Sequence, residues 1–131
     1  MPISPDSTWQ VWLRYAEEEL AIARVLKDDH PGGAVVHAQQ AAEKAVKALW
    51  VWSRGQDPPR VHHVERLLAE LGASRPLLTS GGDLTDGYFA ARYPPFIGEP
   101  AAAEITVDDA AERLRDAEEI VRWVRQKLPG A

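Results

Sequence analysis

Two places in this sequence combine residue type and spacing in a way that could do chemistry. The first is Arg92, in the run Ala90-Ala91-Arg92-Tyr93-Pro94-Pro95. The prolines just downstream restrain the backbone, so the guanidinium is presented in a defined place. A planar fork of donors suits phosphate, which it can meet with two parallel hydrogen bonds. The plainer alternative is an arginine that closes a helix on its last carbonyls or on an acid. The second place is His37, Gln40, Lys44 and Lys47, spaced by three and four. That spacing aligns them as a polar, partly basic stripe on one helix face. Such a stripe is either a solvated face or one wall of a pocket for an anionic ligand, and the stripe alone does not choose.

Other chemistries find no footing. The paired glycines, Gly32-Gly33 and Gly81-Gly82, lack the context of a phosphate loop or dinucleotide turn. His62 and His63 are adjacent, so they leave a helix in different directions. Neither lies four residues from another histidine, as a helical zinc pair requires. Their plain role is helix entry. There is no cysteine, which removes disulfides, thiol catalysis and thiolate metal sites. No Ser-His-acid set is legible from spacing. Neither a metal nor a cofactor is expected.

The elements that must position these residues are helical. Ala34–Trp52 holds no glycine or proline, and Val35, Ala38, Ala42, Ala45, Leu49 and Trp52 share one face. So much alanine lets neighbours approach closely, and this stretch is expected to be the central helix. Before it, Ser7 and Gln10 suggest a capping box opening a helix to about Lys27, lined by Trp9, Leu13, Ala16, Leu20 and Ala23. Asp28–Gly33 is expected to break the chain. A short helix is predicted over about His63–Leu71, and a short fourth from Asp83 to about Ala91, with Ser80-Gly81-Gly82 as a turn between them. Thr106 and Asp109 form a second capping box. It opens a last helix whose seam is Ala110, Leu114, Ala117, Val121, Val124 and Leu128. The reading is a single all-α domain over 1–131, with a core of about 8–128. It is a five-helix up-and-down bundle of three long helices and two short ones.

Composition sets the outer bounds. With 131 residues, 45% hydrophobic and 27% charged, the chain is long enough for a true core. A net charge of −5 excludes a protein that coats nucleic acid through its total charge, but leaves room for a local basic patch. The start, MPISPDSTW, has no basic region or long apolar run, so no secretory signal and no membrane association are expected, and the location is expected to be cytoplasmic. Five tryptophans are more apolar surface than a small bundle readily hides. Trp50, Trp52 and Trp123 are therefore candidates for a dimer interface, with a place in the core as the plain alternative for each.

Three segments in order, HAQQAAEKAVKAL (His37–Leu49), PPRVHHVERLLAEL (Pro58–Leu71) and ARYP (Ala91–Pro94), resemble HEPN domains. These are small helical domains often found beside minimal nucleotidyltransferases. The final helix, with its Ile120–Val124 run, fits as well. The resemblance implies a five-helix fold, a homodimer, and association with nucleotides, RNA or a nucleotidyltransferase partner, often in toxin–antitoxin systems. Many members are metal-independent ribonucleases that carry an arginine followed after four to six residues by a histidine. Arg92 matches that arginine. Ile97, Gly98 and Glu99 stand where the histidine would fall, and no histidine follows His63. The expectation is therefore a non-catalytic protein that holds nucleotide or RNA phosphate on Arg92, with Lys44, Lys47 and His37 as helpers. The alternatives are a ribonuclease toxin with a divergent base, His37 or Glu99, and a pure protein-interaction module.

Overall fold

The structure, a computed structural model, describes residues 8–100 and 104–130. It contains α1 (Thr8–Leu26), α2 (Pro31–Arg54), α3 (Val64–Glu70), α4 (Arg75–Arg92) and α5 (Val107–Lys127), with no strand among the described residues. The all-α, five-helix reading holds. Ser7, the expected first cap, lies outside the described residues.

Helix α2 is the centre, in contact with all four other helices. Its alanines explain how. Ala34, Ala38, Ala41, Ala42, Ala45 and Ala48 are all at most 1% exposed, so α1, α4 and α5 approach its backbone from different sides. Helices α1 and α5 supply the seams their periodicity predicts, with Ile120 added in α5. From α1 come Trp9, Leu13, Ala16, Leu20 and Ala23, and from α5 Ala110, Leu114, Ala117, Ile120, Val121 and Val124. The Thr106–Asp109 capping box opens α5 as expected, each residue's side chain bonding the other's backbone N–H. Gly55 ends α2 with a left-handed φ of 62°.

Two boundaries differ from the sequence reading. Helix α2 begins at Pro31, so Gly32 and Gly33 lie in its first turn, where proline needs no hydrogen-bonding N–H. Helix α4 begins at Arg75 and is 18 residues long, so Ser80-Gly81-Gly82 is helical and the bundle has four long helices and one short. The reason is packing. A Cβ on Gly81 would stand 2.9 Å from Leu68 Cδ1 and 3.1 Å from the Glu65 backbone nitrogen. Glycine here lets α3 lie directly on α4. Gly87 serves the same contact with α2, since its Cβ would meet Val35 Cγ1 at 3.0 Å. In α4 these glycines are points of close approach, and chain reversal has no part in them.

Candidate functional site

The polar stripe of α2 faces acids. Glu19 of α1 reaches across, accepting from Lys44 Nζ at 2.8 Å and from His37 Nδ1–H at 2.5 Å. Burial pushes the Glu19 carboxyl up, but the hydrogen bonds and charges of Lys44 and His37 outweigh it and hold the group below the usual carboxylate range. Tyr15 lies under Lys44, with the ammonium 5.8 Å from its ring centre. The expected role of Lys47 needs correction. It is 6% exposed, donates to Glu43 Oε2 at 3.0 Å and rests 5.9 Å from the Trp12 ring. Its charge is spent inside the protein.

Lys47 belongs to a buried cluster that sequence reasoning missed. Gln39, 0% exposed, donates through Nε2 to Glu43 Oε1 at 3.1 Å and to the His62 carbonyl at 2.9 Å. The His62 ring donates from Nδ1 to the same Glu43 oxygen at 3.0 Å. A carboxylate only accepts, so it fixes the tautomer and turns Nε2 outward. The His62 side chain is 58% exposed while Glu43 is 6% exposed. Gln39, Glu43 and Lys47 stand at four-residue steps, so the signal lay in the sequence. What the sequence lacks is the loop that brings His62 to them.

Arg92 ends α4 in a different setting. It is exposed and has no acid partner among the described residues; its guanidinium carbon sits 5.7 Å from the Tyr88 ring centre. A row of rings adjoins it. Tyr88 meets Phe89 edge-on at 5.4 Å, Phe89 stacks on Tyr93 at 6.4 Å, and His63 tilts against Phe89 at 6.0 Å. Thr85 fixes this face to α3, accepting from Val64 N–H at 3.3 Å and donating to Glu65 at 2.7 Å. Ala91 packs with Ala34 and Val35, which places Arg92 at the N-terminal end of α2. Lys44 lies nine residues beyond Val35, about 14 Å along the helix, and faces α1. Within the chain, then, Arg92 and the His37–Lys44 pair occupy different faces.

The tryptophans also separate. Trp50 is a core residue at 6% exposure, capped by Arg54 at 3.9 Å, so it offers a partner almost nothing. Trp52 is 45% exposed, and Trp123 is partly buried against the core with Lys127 over its ring. A cavity of about 660 Å³ lies between Trp9, Trp52 and the Gly55–Asp57 turn, and Arg92 does not line it. Among the described residues no group of three or more histidines and acids could hold a metal ion, and no helix is long and apolar enough to cross a membrane.

Comparison with known proteins agrees with this architecture. The HEPN domain model matches residues 9–127. The chain is 30% identical to "Putative toxin MJ1304" of Methanocaldococcus jannaschii, over 91% of this chain and 87% of that protein. The crystal structure of TT1696 from Thermus thermophilus superposes with a TM-score of 0.80 at 32% identity, covering 94% of this chain and 99% of that one. ST0689, described as an archaeal HEPN homologue, gives 0.73 at 30% identity over 90% and 95%.

Proposed function

The chain belongs to the HEPN domain family, and on that premise we propose that it binds the phosphate of a nucleotide or RNA through Arg92. It does so as a homodimer in a toxin-like system, working with a minimal nucleotidyltransferase in the cytoplasm. The observation behind this reading is the state of Arg92: an exposed guanidinium with no acid partner among the described residues, held against Tyr88 beside a row of rings. A cation left open in this way keeps its donors for a ligand. The toxin name of the Methanocaldococcus relative supports the setting. For the dimer, Trp52 and Trp123 remain the candidate surface. Titration of ATP, GMP and a short RNA against the pure protein and Arg92→Ala tests the binding. Saturable binding that weakens tenfold or more in the variant supports it, and equally poor binding by both sinks it.

A second reading, metal-independent RNA cleavage, is favoured by His62. Its imidazole is exposed, oriented by a buried carboxylate, and chemically suited to accept a proton from a ribose 2′-hydroxyl. His37, by contrast, has its Nδ1 engaged by Glu19 on the α1 side. Incubating end-labelled RNA with wild type, Arg92→Ala and His62→Gln, with and without EDTA, decides between binding and cleavage. Cleavage that persists in EDTA and disappears in His62→Gln establishes the nuclease.

A further inference from the structure

This chain has two phenylalanines, and neither is in the core. Phe89 is 43% exposed and Phe96 76% exposed, while aliphatic side chains and two tryptophans fill the interior. With Tyr93, 53% exposed, they gather at the end of α4 around an open groove of about 570 Å³. Phe89, Tyr93, Pro95, Phe96, Glu99 and Pro100 line it. Its volume is in the range of small-molecule sites. The Phe89 and Tyr93 rings lie within 24° of parallel, so they present flat, sequence-tolerant π surface of the kind on which bases stack. Arg92 rests against Tyr88, which meets Phe89 of the groove edge-on at 5.4 Å, so a phosphate on its guanidinium would place an attached base near the groove.

We propose that this groove is a nucleobase subsite selective for guanine, an inference that rests on the phosphate role of Arg92. The selectivity comes from Glu99, the one charged residue among those lining the groove. Its backbone N–H closes the Phe96–Glu99 turn on the Phe96 carbonyl at 3.0 Å, which fixes its place at the rim. A carboxylate accepts and never donates, so its partner must offer donors. Guanine presents two adjacent ones, N1–H and the N2 amino group, matched to both carboxylate oxygens. Adenine and cytosine offer a single amino group, and uracil a single N–H. The same negative charge keeps phosphate out of the groove and on the arginine side, which sets the orientation of the nucleotide.

The test is parallel titration of GMP, AMP, CMP and UMP against wild type, Glu99→Gln, Phe96→Ala and Arg92→Ala, with light scattering on each protein. All three sites are exposed, so the fold is retained. GMP should bind about tenfold tighter than the other three. Glu99→Gln should reduce that preference to within about threefold while retaining binding, and Phe96→Ala should weaken all four about tenfold. Equal affinity for the four nucleotides, or a preference that survives Glu99→Gln, overturns the guanine subsite and leaves the phosphate reading standing if Arg92→Ala still weakens binding. No nucleotide binding by the wild type overturns both. A dimer that Phe96→Ala dissociates, with nucleotide affinity unchanged, assigns the groove to self-association and also overturns the subsite.

Discussion

Both sides of this bundle set cations against aromatic rings, but they do so to opposite effect. On the α1–α2 side, Lys44 lies by Tyr15 and Lys47 by Trp12, and each is met by a carboxylate, Glu19 or Glu43. At the α4 end, Arg92 lies by Tyr88 and no carboxylate meets it among the described residues. The first arrangement uses charge to hold the protein together, and the second leaves it available. A cation count along a helix does not distinguish the two. What decides is the acid supplied from the facing element, or from the same helix four residues away.

The contrast breaks first at Glu43. Glu43→Ala would leave Lys47 charged and buried without a partner, and should lower stability by about 3–5 kcal/mol in chemical denaturation. The paired replacement Glu43→Leu with Lys47→Leu should recover most of that loss. If Glu43→Ala were as mild as a surface change, the paired side would have no special standing. Next is Gly81, which sets α4 against α3 and so aims the Arg92 face. Gly81→Ala should destabilise by about 1–3 kcal/mol through overpacking, despite alanine's better helix propensity. Gly82→Ala, with nothing within 4 Å of the added carbon, should instead stabilise by roughly 0.5–1 kcal/mol. The smallest effect is expected at Glu19. Its folded-state carboxyl titrates below its ordinary value of 4.5, so its pairing stabilises the fold above that pH. The contribution, under about 1 kcal/mol for a partly solvated group, is lost as pH falls through the folded-state value. Thermal melts of wild type and Glu19→Gln should therefore differ at pH 7 and converge on acidification, once the pH has fallen well below 4.5. Divergence on acidification would mean the pairing is not what stabilises this face.

Much of the fold was legible because periodicity reports burial. The seam of α1 was read residue by residue, as was the cap at Thr106; in α2 the expected seam ran one residue too far, to the exposed Trp52, and in α5 it left out Ile120. The misreading of α4 has a physical source. Glycine marks either a turn or a close helix contact, and only the presence of Leu68 and Glu65 across Gly81 separates them. The candidate site divides the same way. Arg92 stood out because proline and tyrosine flank it in the chain. The role of Lys47 was misjudged although Glu43 lies one turn before it, because the stripe was read for its cations and not for the acid beside them. Trp50 stood open between interface and core because composition counts tryptophans without locating them, and its 6% exposure puts it in the core. His62 could not be found at all from spacing, since 19 residues separate it from Glu43.

The amide of Gln39 carries a consequence for motion. One side chain in the middle of α2 holds both the Glu43 carboxylate and the main chain at His62, so the α2–α3 connection is pinned by an amide that is itself buried. Swinging that connection would strand several buried polar groups at once, a barrier that a weakly bound ligand does not overcome. The chain after Arg92 has no comparable anchor inside the core: Tyr93–Pro100 is exposed throughout. Any adjustment of shape to a ligand is thereby directed to one side of Arg92 alone. The His63–Phe89 contact lies on the pinned side of Arg92.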